Sequence, residues 1–125
     1  MAAEDTEQGV APERVAELIS AREAQIVDVR TEPEHAAGHV GGATHIPFEE
    51  LPARASELDQ SRPVVFYCQS GGRSAGAAQA FAASGWEAHT MTGGLEEWAA
   101  RGLPLEPEDG QVTAMSGLPE RPASN

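Results

Sequence analysis

The residue in this sequence best suited to covalent chemistry is its one cysteine, Cys68, which follows an apolar run and opens the stretch Cys68-Gln69-Ser70-Gly71-Gly72-Arg73-Ser74. The thiolate is the nucleophile, and a free cysteine with a pKa near ~8.5 is only a few per cent ionised at neutral pH. A following helix would help, because its N-terminus offers unpaired backbone N–H groups and about half a positive charge. Gly71 and Gly72 permit backbone conformations that turn successive N–H groups inward as a nest. Arg73 brings a permanent charge and a fork of donors suited to a tetrahedral oxyanion. Ser74 is placed to cap the helix or to donate to a bound sulfur. Taken singly, a lone cysteine is a small core residue, Gly-Gly a turn and one arginine a surface charge. Together, between a strand and a helix, they point to an active-site loop.

The flanking segments must position that loop. Pro12 suits a first helical position, and Val15, Leu18 and Ile19 share one face of a helix reaching about Arg22. Gln25 to Val29 reads as a buried strand, residues 33–37 as a short helix ended by Gly38, and Gly41-Gly42 as a turn. Thr44 to Ile46 reads as a short strand before Pro47. A helix is predicted over Phe48 to Leu58, with Pro52 either in its first turn or breaking it. Val64 to Tyr67 is the strongest strand. A helix of small residues follows from Ser74 to Ser84 and stops at Gly85, then a strand at Ala88 to Met91. After a Gly93-Gly94 turn, Leu95, Trp98 and Ala99 mark a last helix that ends by Gly102. Such alternation argues for an α/β layered domain with a small, mostly parallel sheet and helices on both faces. Ligands of such sheets sit at the carboxyl ends of strands, where Cys68 falls.

The chain's 125 residues suit one domain. Its expected organisation is a flexible N-terminus over 1–7, a folded domain over 8–105 and a loose Pro/Gly-rich tail over 106–125; residues 8 and 9 are read as frayed. One cysteine forms no internal disulfide, and the four histidines lack metal-ligand spacing, so neither a metal nor a cofactor is expected. With 8 Lys plus Arg (all arginine) against 20 Asp plus Glu, the net charge is −12, which repels nucleic acid and anionic lipid. No apolar run approaches the ~20 residues of a membrane span. The start, Met1-Ala2-Ala3-Glu4-Asp5, lacks the pattern of a secretory signal, so a cytoplasmic, reducing location is expected.

Cys68-Gln69-Ser70-Gly71-Gly72-Arg73 resembles the six-residue active-site loop of the rhodanese family. Ile26 to Arg30, Glu34-His35, Gly38-His39-Val40 and Gly42 to Pro47 resemble that family's N-terminal signature. Gly93-Gly94-Leu95 with Trp98, Gly102 and Pro104 resembles its C-terminal one, so coverage runs roughly from 8 to 105. Dual-specificity phosphatases of related fold place five residues between Cys and Arg, whereas four intervene here. The resemblance implies a single-domain, thiosulfate sulfurtransferase-like enzyme in which the Cys68 thiolate takes a sulfane sulfur from an anionic donor as a persulfide. A thiophile such as cyanide, a small thiol or a protein partner then removes it. Gln69, Ser70, Gly71, Gly72, Arg73 and Ser74 are expected to bind the persulfide and substrate, with Arg73 orienting the donor. Asp28, Arg30 and Glu34 are expected to support the loop, Asp28 and Arg30 pairing with each other or with Glu34. His39 reads as a loop clamp, His35, His45 and His89 as surface or strand residues, and Trp86 and Trp98 as core. Two other classes stay open: a rhodanese-like partner-binding or redox-sensing module without turnover, and phosphatase or arsenate-reductase chemistry.

Overall fold

The computed structural model describes residues 8–107 and 110–112. Five strands, β1 (Gly9–Val10), β2 (Gln25–Asp28), β3 (Thr44–His45), β4 (Val64–Tyr67) and β5 (Ala88–Met91), form one sheet in the order β1-β5-β4-β2-β3. Every pairing in it is parallel. The helices are α1 (Pro12–Ala21), α2 (Glu32–Ala37), α3 (Leu51–Arg54), α4 (Gly72–Ala83) and α5 (Gly94–Ala100). Alternation along the central strands divides the core in two. Val27, Val64 and Phe66 pack with Leu51, Ala77, Ala78 and Phe81 on the α3/α4 side. Ile26, Val65 and Tyr67 pack with Val15, Met91, Leu95 and Trp98 on the α1/α5 side. Both faces are covered, as a parallel sheet requires. The predicted apolar face of α1 is present, with Val15 buried and Leu18 and Ile19 packed beside it.

Four expectations change. Gly9, read as frayed, instead belongs to β1: Gln8 and Val10 accept backbone bonds from Thr90 and Thr92 at 2.8 and 2.9 Å. A two-residue edge strand has too little periodicity to be seen in sequence. The predicted 48–58 helix is a 3-10 turn (Phe48–Glu50), the single turn of α3 and another 3-10 turn (Ala55–Glu57), because Pro52 has no N–H to continue the ladder. Helix α4 starts two residues before Ser74, with Gly71 as N-cap at φ 117°, so Ser74 lies inside the first turn and caps nothing. The segment after Leu105 is docked where it is described. His39 and Glu106 exchange backbone bonds of 2.9 and 2.7 Å, Gln111 N–H donates to the Ala37 carbonyl at 2.8 Å, and Val112 packs on the α1/α5 core. The expected flexible 1–7 and the rest of the expected tail, 108–109 and 113–125, lie outside the described residues.

Candidate active site

Strand β4 carries Cys68 to the C-terminal edge of the sheet, and the loop that follows turns directly into α4. The first turn of α5 clamps that loop: Leu95 N–H donates to the Cys68 carbonyl at 2.9 Å, and Glu96 N–H to the Gln69 carbonyl at 3.0 Å. The orphan amides of a helix start thus hold the loop's own oxygens. Gly94 makes this approach possible. A Cβ there would stand 2.5 Å from the Gln69 oxygen and 2.6 Å from that of Cys68, and its φ of +64° is left-handed. Gly94→Ala is expected to destabilise the domain by about 1–3 kcal/mol from backbone strain alone. A urea-unfolding midpoint matching wild type would contradict this clamp.

The sulfur is more enclosed than its strand-end position predicts, since Cys68 is 1% exposed and sits among Val29, Ile46, Phe66 and Ala77. It is not walled in by carbon alone. Gly71 N–H points at Sγ from 3.0 Å, and Ser74 Oγ lies 3.6 Å away. Ser74 is itself held by Thr90 on β5, with 2.6 Å between the two hydroxyl oxygens, and it reaches the Gly71 carbonyl at 3.3 Å. Thr90 carries no role in the sequence patterns, and Gly94 appears there as half of a Gly-Gly turn. Thr90 shares strand β5 with another polar, half-buried residue, His89, so nothing local singled it out. Ser70 and Gly72 are exposed, and Gly71 is half-buried.

Arg73 is 27% exposed, and its guanidinium faces both oxygens of Glu34, at 3.2 and 3.4 Å. Glu34 is buried and serves α2 as well: with Thr31 it forms a capping box, accepting Thr31 N–H at 2.8 Å. Asp28 and Arg30 pair with each other; Glu34 instead hydrogen-bonds Arg73 and Thr31. Arg30, with no exposure, binds Asp28 through Nε at 2.9 Å and through a terminal nitrogen at 2.7 Å. That same nitrogen donates to the Gly38 carbonyl at 2.7 Å, and the other terminal nitrogen to Gln69 Oε1 at 3.2 Å. The Gln69 side chain therefore faces this brace. Burial works to raise the Asp28 pKa, but the bonds and charge of Arg30, with His35, leave it below the ordinary carboxylate value. Tyr67 completes the hub, donating to Asp28 at 3.1 Å and accepting Val40 N–H at 3.0 Å.

His45 and His89 lie in strands β3 and β5, as expected, but the expectations from sequence do not bring three of the histidines together. His35, His39 and His45 stack, with centroids 3.9 and 4.4 Å apart. His35 Nδ1 lies 2.8 Å from Asp28 Oδ2, and His45 Nε2 lies 2.7 Å from the Arg30 carbonyl. His39 keeps its clamp role, through its backbone bonds to Glu106. The stack was legible only as the i, i+4 spacing of His35 and His39. Burial holds His35 below its ordinary value of 6.5; Asp28 pulls the other way, while His39 and His45 act with burial. The unfolded chain therefore binds this proton first. The stability that neutral His35 contributes is full above pH 6.5 and is lost as pH falls through that value toward the lower native one. Urea midpoints measured across this range should fall with acidity, and His35→Gln should flatten the slope; an unchanged slope would assign it elsewhere.

Among the described residues, no helix is long and apolar enough to cross a membrane. Trp98 is core, its indole N–H bonded to the Pro104 carbonyl at 2.8 Å; Trp86 packs edge-on against Phe81 at 5.0 Å.

A model of the rhodanese-like domain matches residues 11–101. A thiosulfate sulfurtransferase of Pseudomonas aeruginosa is 36% identical over 97 residues, covering 75% of this chain and 86% of the relative. An uncharacterized protein of Bacillus subtilis is 38% identical over 81 residues, and the match spans 64% of each chain, a little under two thirds of that relative. The crystal structure of a Staphylococcus saprophyticus protein superposes with a TM-score of 0.69 at 32% identity, covering 77% of this chain and 97% of that one.

Proposed function

The chain belongs to the rhodanese family, and from that membership we propose that it is a sulfurtransferase that carries a sulfane sulfur on Cys68 as a persulfide. The observation that carries the reading is the Gly71 N–H aimed at Sγ from 3.0 Å, a donor positioned before any charge arrives. The Cys68 thiolate attacks the outer sulfur of thiosulfate, whose S–S bond breaks with its electron pair leaving on sulfite. Cys68–S–S⁻ remains. The transferable atom then stands about 2 Å beyond the enclosed Sγ, an S–S bond length nearer to the acceptor. Cyanide, a small thiol or a protein thiol takes that sulfur and returns the thiolate. Gly71, Gly72 and the first turn of α4 serve the anion through backbone N–H groups, together with Ser74 Oγ. Gln69 and Ser70 contribute backbone to the same turn. A cytoplasmic, reducing setting keeps the single thiol available.

Arg73 handles the anionic donor with its charge shared by Glu34. Arg73→Ala should raise the KM for thiosulfate about tenfold, the lower end for losing a hydrogen bond to a charged group. Its turnover with cationic cysteamine persulfide should be nearly unchanged; equal losses with both donors would make Arg73 structural. The whole reading is tested by mass spectrometry of the intact protein after thiosulfate treatment. One added sulfur atom on Cys68, removed by cyanide, is expected. A folded protein that gains no sulfur from any sulfane donor would defeat the reading.

A further inference from the structure

Beside the loop, on the α3/α4 side of the sheet, lies an open groove of about 560 Å³. Its walls are Phe48, Leu51 and Pro52 on one side and Gly76, Phe81 and Trp86 on the other. It lies between the short turns around Pro52 and helix α4, which presents the small residues Gly76, Ala77 and Ala80 there. A Cβ at Gly76 would already touch the Phe48 ring at 3.9 Å. Phe48, at 39% exposure, is the exposed large hydrophobic residue of the described chain. Gly76 lies four residues beyond Gly72, so the groove begins about 6 Å along the helix from the end of the Cys68 loop.

One charged residue lines the groove, and it is acidic. Glu49 lines the groove and, with Glu32 and Glu50, also the polar hollow next to it. The cation in that hollow, Arg54, is engaged by Glu50 and Glu57, each at 2.9 Å. On a chain of net charge −12, an apolar slot with Glu49 on its edge and Glu32 and Glu50 in the adjoining hollow repels acidic partners and attracts basic ones.

We propose that this groove docks a protein sulfur acceptor whose apolar side chain inserts beside Phe48 and Trp86, while flanking Lys or Arg residues meet Glu49 and Glu50. This rests on the sulfurtransferase reading and names its acceptor class. The acceptor's cysteine, having lost its proton to solvent, attacks the outer sulfur of the Cys68 persulfide. The new S–S bond forms on the acceptor, the Cys68 S–S bond breaks, and its electron pair returns to Sγ as thiolate. No oxidant or reductant is consumed.

The test uses the full chain, loaded with sulfur by thiosulfate, and three short synthetic peptides that each end in cysteine. The first carries Phe and Leu four residues apart between lysines; the second replaces the lysines with glutamates; the third replaces Phe and Leu with serines. The first is expected to bind about tenfold more tightly than either of the others, equivalent to about 1.4 kcal/mol. It should also bind more weakly as salt rises, change Trp86 emission, and accept sulfur faster than free cysteine. Phe48→Ser, and separately Glu49→Lys combined with Glu50→Lys, should each remove that preference while transfer to cyanide stays normal. Equal binding of the three peptides, or no effect of Phe48→Ser, overturns the proposal. So does binding of anilinonaphthalene sulfonate in the groove without peptide binding, which would make it a small-molecule pocket. Selective peptide binding with no sulfur transfer to any acceptor leaves the docking site standing and removes the sulfurtransferase reading; normal transfer to cyanide without selective binding does the reverse.

Discussion

Cys68→Ser is expected to abolish sulfur transfer while leaving the fold intact. Serine is close in size, and its hydroxyl can accept the Gly71 N–H that now points at Sγ, so the enclosed position stays filled and satisfied. The hydroxyl is not ionised by one backbone donor at neutral pH, and it forms no persulfide. The loss should reach roughly 10⁴-fold or more, as when a nucleophile working as a unit with its surroundings is removed. Thiosulfate–cyanide turnover, the intact mass after thiosulfate and the urea midpoint together check this. Residual turnover above one per cent in the folded variant would mean that the sulfur is carried elsewhere.

The second large effect concerns stability. Arg30→Met removes one half of an ion pair with no exposure on either side chain. It leaves the Asp28 carboxylate with His35 and Tyr67 as side-chain partners, and it removes the Arg30 bonds to the Gly38 carbonyl and to Gln69 Oε1. Breaking a buried pair in this way costs about 3–5 kcal/mol, a large part of the ~5–15 kcal/mol that holds a domain folded. Much of that cost comes from the stranded charge, so Asp28→Asn combined with Arg30→Met should recover part of it. Urea denaturation of both variants decides the matter. A loss below ~1 kcal/mol for Arg30→Met would show that the pair is not the brace of the loop. Because Gln69 is the second residue of that loop, activity at permissive temperature should fall along with stability.

How far the sequence reading reached depended on how local each signal was. Four consecutive β-formers, Val64 to Tyr67, running into Cys68 and two glycines specify strand, turn and helix within one short window. The same holds for Val15, Leu18 and Ile19 on α1 and for Ala88 to Met91. Where a local rule had two outcomes, the choice was not legible. Pro52 could start a helix or break one, and the structure has it inside a single turn between two 3-10 turns. Ser74 could cap or donate, and the early start of α4 leaves it beside Sγ, held by Thr90.

Neighbouring residues alone specify the family, the alternating strands and helices of a parallel α/β domain, and the position of the one thiol at a strand end before a glycine-rich turn. These are properties of neighbouring residues, carried by propensity and by backbone freedom. It took the packed fold to make Arg30 reach Gln69, Glu34 share Arg73, α5 clamp the Cys68 loop through Gly94, and three histidines stack, with His35 against Asp28. Most of these contacts join residues far apart in the chain, and they follow from the sheet order β1-β5-β4-β2-β3, which sets β4 between β2 and β5. Side-chain types specify what such groups can do when they meet; the order of the strands specifies which of them meet.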